Sequence, residues 1–236
     1  MNGIRVRFQI GVVASVLLFA SMALGAASAA EKAFTDHFVL DKADLSSTGA
    51  NPYFSLQPGY QLYLKSKDGD LTITVLDETK TVDGVETRIV EERETEAGKL
   101  IEVSRNFFAI SKTDKNVYYF GEDVDMYNRR GKITGHGGSW QAGENGAKAG
   151  MMVPGKPAVG DRYYQEVAPK VAMDRAEIVS LTAKLTVPAG AFKDVLKTEE
   201  TTPLEPGVKE YKYYAAGVGL LQDGDMKLVR YGYVKH

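Results

Sequence analysis

From residue 60 onward the chain is cut into runs in which apolar and polar residues alternate, and each run closes on a turn signal. Residues 60–66 stop at Asp68-Gly69, residues 71–80 at Asp83-Gly84, residues 85–95 at Ala97-Gly98, and residues 100–111 at Thr113-Asp114-Lys115. In residues 71–75, Leu71, Ile73 and Val75 fall on one face and Thr72 and Thr74 on the other. A two-residue period broken by Asp-Gly turns specifies antiparallel hairpins. The polar positions are rich in Thr, Glu, Arg and Lys, as in a sheet with one face in water. After a Gly- and Pro-rich loop at 143–160 the pattern resumes over 161–167, 176–187, 192–202, 208–214, 217–221 and 226–234. No stretch after the N-terminal apolar segment keeps apolar residues at three- and four-residue spacing for three turns, and the best helical candidate, residues 171–180, alternates almost as well as a strand. The pattern predicts an all-β protein with little helix. Its antiparallel sheet has about eleven or twelve strands, a number that curls a sheet or closes it into a partly open barrel.

The N-terminus reads differently. Arg5 and Arg7 precede an uncharged apolar segment that ends in small residues, with Ala27 and Ala29 in the small-x-small arrangement of a signal-peptidase site. Residues 1–29 are therefore expected to be a signal peptide, residues 30–50 a flexible arm with few apolar anchors, and residues 51–236 a single β domain. An uncleaved anchor is the competing reading, set against the Ala/Gly/Ser-rich second half of the segment. The chain has no cysteine, which excludes a lipidated cysteine, a disulfide, a zinc-thiolate site and a thiol nucleophile. The expected location is the periplasm or the medium, with membrane contact only through the signal peptide.

Of 29 basic residues, the segment removes Arg5 and Arg7. The remaining 27 face 31 acidic ones, for a net charge of −4. The basic residues are dispersed, so no nucleic-acid partner is predicted.

Residues 116–143 concentrate the chemistry. Val117, Tyr118, Tyr119 and Phe120 lead into Gly121, Glu122, Asp123 and Asp125, followed by a basic turn, His136 between glycines, and the sole tryptophan, Trp140. The simplest arrangement is a hairpin that returns Trp140 beside the Tyr118/Phe120 face or the Tyr119 face. Tyr118, Tyr119, Phe120 and Trp140 are thus candidate ligand-binding residues, because large rings suit an apolar cavity wall, although ordinary sheet packing uses the same residues. Glu122, Asp123 and Asp125 are candidate ligands for a hard cation such as Ca²⁺, or else a solvated strand end; their spacing is not that of an EF-hand. Ser139 lies outside any G-x-S-x-G elbow. Glu199 and Glu200 are adjacent on a strand and so point to opposite faces, which stops them from forming a catalytic pair.

The tail, VPAGAFKDVLKTEETTPLEPGVKEYKYYAAGVGLL over residues 187–221, resembles the C-terminal half of secreted bacterial β-sheet proteins of uncharacterised function, with a VP-x-G-x-F turn and a later YYA-x-GVGL hairpin. The segments NPYF (51–54), YFGED (119–123), GSWQAG (138–143) and VGDRYYQE (159–166) look like further signatures of the same group. More remotely, the tail is similar to periplasmic lipoprotein carriers with an unclosed barrel. That resemblance implies a fold and an apolar cavity, and supplies no catalytic residues.

Three functions compete at this level. The first is an envelope binding or carrier module for an apolar or lipid-like small molecule, and this is the reading adopted. A second is a hydrolytic or metal-dependent enzyme built on Glu122, Asp123, Asp125 and His136. The third is an assembly factor whose tyrosine faces bind an envelope protein.

Overall fold

The computed structural model describes residues 33–234. The expected signal segment lies outside the described residues. Among the described residues eighteen strands occur in chain order. The N-terminal part supplies β1 (Leu45–Ser46), β2 (Ala50–Asn51) and β3 (Phe54–Ser55). Long hairpins follow: β4 (Tyr60–Lys65), β5 (Gly69–Val82), β6 (Val85–Glu96), β7 (Lys99–Ser111) and β8 (Val117–Tyr127). Short pieces come next, β9 (Ile133–Gly135), β10 (Trp140–Gln141), β11 (Lys148–Val153), β12 (Arg162–Tyr164) and β13 (Glu166–Val167). The chain closes with β14 (Arg175–Val187), β15 (Gly190–Thr201), β16 (Glu210–Ala215), β17 (Gly219–Asp223) and β18 (Met226–Tyr233).

The main sheet runs β12-β14-β15-β16-β17-β18-β4-β5-β6-β7-β8-β11-β13, with β1 added to β7 and with β9 and β10 added to β8. Most neighbours are sequential hairpins; the long-range closure is β18 on β4, with Lys227 opposite Lys65 and Tyr233 opposite Tyr60. The two ends of the order belong to one short stretch of chain. β12 pairs with β14, whereas β13, one residue later, pairs with β11. The sheet therefore curls nearly into a barrel with one unsealed seam. The all-β antiparallel expectation holds, with more strands than the eleven or twelve expected.

The additional strands arise where alternation is weak. Residues 148–153, expected within a loop, form β11 because small residues let two backbones meet: a Cβ on Gly150 would lie 2.1 Å from the Gln165 carbonyl oxygen. The turns follow their residue types. Asp83 and Gly84 both have positive φ (47° and 73°), as a two-residue hairpin turn requires.

One barrel end is covered by residues 50–56. Leu56 is fully buried, and Phe54 packs on Phe108 at 5.0 Å between ring centroids. The Asn51 side-chain amide donates to the carbonyls of Lys115 (2.9 Å) and Pro154 (3.0 Å), and Gly217 N–H donates to the Pro52 carbonyl (2.8 Å). Within the segment expected as an arm, Thr35 exchanges backbone hydrogen bonds with Arg162 and Tyr164 (3.0 and 2.8 Å) beside β12. The Phe34 ring lies against the guanidiniums of Arg162 (4.2 Å) and Arg175 (4.3 Å), a cation–π arrangement.

Candidate functional site

Inside the covered end lies a cavity of about 90 Å³. Its apolar wall comes from Leu62 on β4, Leu71, Ile73 and Val75 on β5, and Val90 on β6. Tyr53 and Phe54 from the covering segment and Tyr214 on β16 add rings. The sequence places Leu71, Ile73 and Val75 on one face of β5, and that face is the interior one.

The polar side of the same cavity is formed by Glu92, Lys212 and Asp223. Register explains how they converge. Glu92 lies opposite Ile73 across β5–β6, and Lys212 lies opposite Asp223 across β16–β17. The Lys212 ammonium reaches Glu200 Oε2 at 3.1 Å and Asp223 Oδ2 at 3.4 Å. Glu200 also accepts hydrogen bonds from the Gln165 amide (3.2 Å) and the Thr198 hydroxyl (3.1 Å).

Further carboxyls join this interior layer. Glu102 follows from the Glu94–Glu102 pairing of β6 and β7, and Glu122 from its pairing with Asn106. Across the barrel Glu210 lies opposite Glu200. A bulge at Phe120-Gly121 keeps Tyr119 and Glu122 on the same inward face. Gly121 is required there: its φ is 132°, and a Cβ would lie 2.2 Å from the Trp140 carbonyl oxygen.

Carboxyls taken out of water are harder to ionise. Burial pushes Glu92 up to about 7 against the pull of Lys212. Glu122 is pushed up to about 8 by burial and then by Glu92 and Glu102. For Glu210, burial and next Asp223 push it up to about 7. Glu166 is raised well above the usual range by burial and by Asp174, and burial also raises Glu102, Asp174 and Glu200. Burial alone would lower Lys212, but Asp223 and Glu200 outweigh it and hold the ammonium well above its ordinary value.

The residues expected to form a site are distributed differently. Tyr119 faces inward, stacked on Phe108 at 4.5 Å and donating its hydroxyl to the Asn106 side-chain oxygen. Tyr118 packs edge-on against Phe38 (6.0 Å), and Phe120 is fully buried. Trp140 lies opposite Glu122 and edge-on to Tyr119 at 5.4 Å, so the hairpin does return it to the Tyr119 face. Its ring is buried, its indole N–H has no partner among the described residues, and it borders a second cavity of about 200 Å³ with Gln141, Asp123, Ala168 and Val171. None of these four residues lines the first cavity. Trp140 emission should accordingly be blue-shifted and weakly quenched by iodide in the folded protein; red, readily quenched emission would contradict its placement.

Of the three carboxylates proposed for Ca²⁺, strand alternation separates Glu122 from Asp123 and Asp125, and separate cations engage the latter two. Glu122 is interior, Asp123 pairs with Lys80 (2.8 Å), and Asp125 pairs with Arg105 (3.1 Å) and His136 (3.0 Å). Among the described residues no group of three or more His, Asp or Glu side chains is placed to hold a metal ion. His136 is likewise kept away from Glu122. Glu199 and Glu200 do point to opposite faces: Glu199 binds Lys209 (2.6 Å) and Tyr211 (3.0 Å) outside, while Glu200 is interior.

Sequence reasoning missed Glu92, Lys212 and Asp223 because inward charged residues read as solvent-facing positions. The available signal is the alternation itself: Val90 and Glu92 share a face, so a carboxyl continues an apolar row. No family model, no curated protein and no solved structure matches the chain.

Proposed function

We propose that the protein is an exported binding or carrier module of the cell envelope that holds a small apolar or amphipathic molecule inside the barrel. The observation that carries this reading is the cavity, whose apolar wall ends on a few convergent polar groups, the usual composition of a small-molecule site. Its volume of about 90 Å³ suits a ring or a short chain. A whole lipid requires the wall formed by Tyr53 and Phe54 to move, since sites for drug-sized ligands enclose about 300–1,000 Å³. The expected export signal and the absence of cysteine fit a freely soluble protein outside the cytoplasm.

Fluorobenzene followed by ¹⁹F NMR is a suitable neutral probe. Saturable binding with a Kd of about 1 mM or tighter, equivalent to about −4 kcal/mol, is the expected result. Ile73→Trp places an indole in the cavity and should weaken binding about tenfold or more. A variant that retains its circular-dichroism spectrum and binds as well as the parent would refute the site.

A further inference from the structure

Resting on that cavity reading, we infer that the ligand is an amphipathic amine, with its apolar part against Leu62, Ile73 and Val90 and its ammonium between Glu92 and Asp223. The cavity has a charged side of unequal sign. Lys212 already faces two carboxylates, Glu200 at 3.1 Å and Asp223 at 3.4 Å. Glu92 enters the same cavity from the opposite wall, with Glu102 and Glu122 behind it on β7 and β8, while Glu210 lies on the strand that carries Lys212. The Lys212 ammonium is the basic group that acts on Glu92, Glu200 and Glu210 alike.

An enclosed space of this kind admits three sorts of head group unequally. A carboxylate would have to take Lys212 from Glu200 and Asp223 while facing Glu92, and like charges at short range in a poorly solvated site are strongly repelled. A neutral hydroxyl gains one hydrogen bond. An ammonium supplies the charge that Glu92 lacks, so Glu92 can release its proton as the amine enters. Binding then exchanges a proton for an organic cation, and no bond between heavy atoms is made or broken.

The test uses one ring with three heads: benzylammonium, benzyl alcohol and benzoate compete with fluorobenzene for the full chain at about pH 6, where Glu92 still holds its proton. Benzylammonium should bind about tenfold more tightly than either of the others, a difference of about 1.4 kcal/mol. Its calorimetric enthalpy should vary with buffer ionisation enthalpy, showing proton release. Glu92→Gln should remove most of the amine preference and leave benzyl alcohol within about twofold; Asp223→Asn provides a second variant should Glu92→Gln not fold. Fluorobenzene binding with benzoate or benzyl alcohol equal to or tighter than benzylammonium would overturn the amine inference alone. Failure of fluorobenzene and of all three competitors to bind would overturn the cavity reading, and this inference with it.

Discussion

Lys212→Met is expected to cost about 3 kcal/mol of folding stability near neutral pH, the low end of the loss typical when one partner of a buried ion pair is removed, since Glu200 is buried but Lys212 and Asp223 are half-buried. The side chain lies between Glu200 and Asp223 in a layer that otherwise carries carboxyls. Methionine keeps the volume and removes the charge, leaving both acids to hold their charges without compensation or to take up protons. The loss should shrink as pH falls, because burial already favours protonation of Glu200 and protonation relieves it. Combining Lys212→Met with Glu200→Gln and Asp223→Asn should recover most of the stability, because replacing every member of a buried charged group is far less costly than removing one. Urea denaturation at about pH 5 and about pH 7.5 checks this. A loss below about 1 kcal/mol at the higher pH would show that Lys212 is screened by water and does not organise the layer.

Stability should also fall as pH rises from about 5 to about 8.5. Glu92 and Glu210 titrate near 7 and Glu122 near 8 in the folded chain, against an ordinary glutamate value of 4.5. The native state therefore holds more protons than the unfolded state throughout that interval. Raised carboxyls leave stability intact below the unfolded value and diminish it as pH climbs through the folded values. Every tenfold gain in a carboxyl's proton affinity on folding corresponds to about 1.4 kcal/mol. Neighbouring groups do not add, and solvent screening of the half-buried groups weakens the effect, so the total loss expected is about 3–5 kcal/mol. That is about 10 °C in Tm for a domain of this size. The lowered carboxyls Asp44, Asp70 and Glu199 act in the opposite direction, but only below the ordinary carboxylate range. A Tm that is flat or rising between about pH 5 and about pH 8.5 would contradict the acidic interior.

The fold was largely legible because its strongest determinants are local. The Asp83-Gly84, Ala97-Gly98 and Asp223-Gly224 turns and the alternation of Leu71, Ile73 and Val75 are written in consecutive residues. Closure was not legible, since Lys227 meets Lys65 across more than half of the chain and no local pattern encodes that pairing. The interior charge layer was hidden for a related reason. In β6, with sequence VETRIVEERETE, both alternating sets contain glutamates, so the inward face cannot be chosen from the strand alone; its partner must be known first. Residues 116–143 concentrate aromatic and acidic residues, and they do supply Tyr119, Glu122 and Trp140 to the interior. Their acids looked like one cluster only because sequence proximity conceals the alternation that sends Asp123 and Asp125 outside.

Methyl NMR of the full chain titrated with fluorobenzene is the most direct test of a ligand cavity inside the barrel. The account predicts saturable shifts in the methyl groups of Leu62, Leu71, Ile73, Val75 and Val90, which line the cavity. Shifts confined to exposed side chains such as Ile133, Val159 and Leu204, with the interior methyls unmoved, would contradict it.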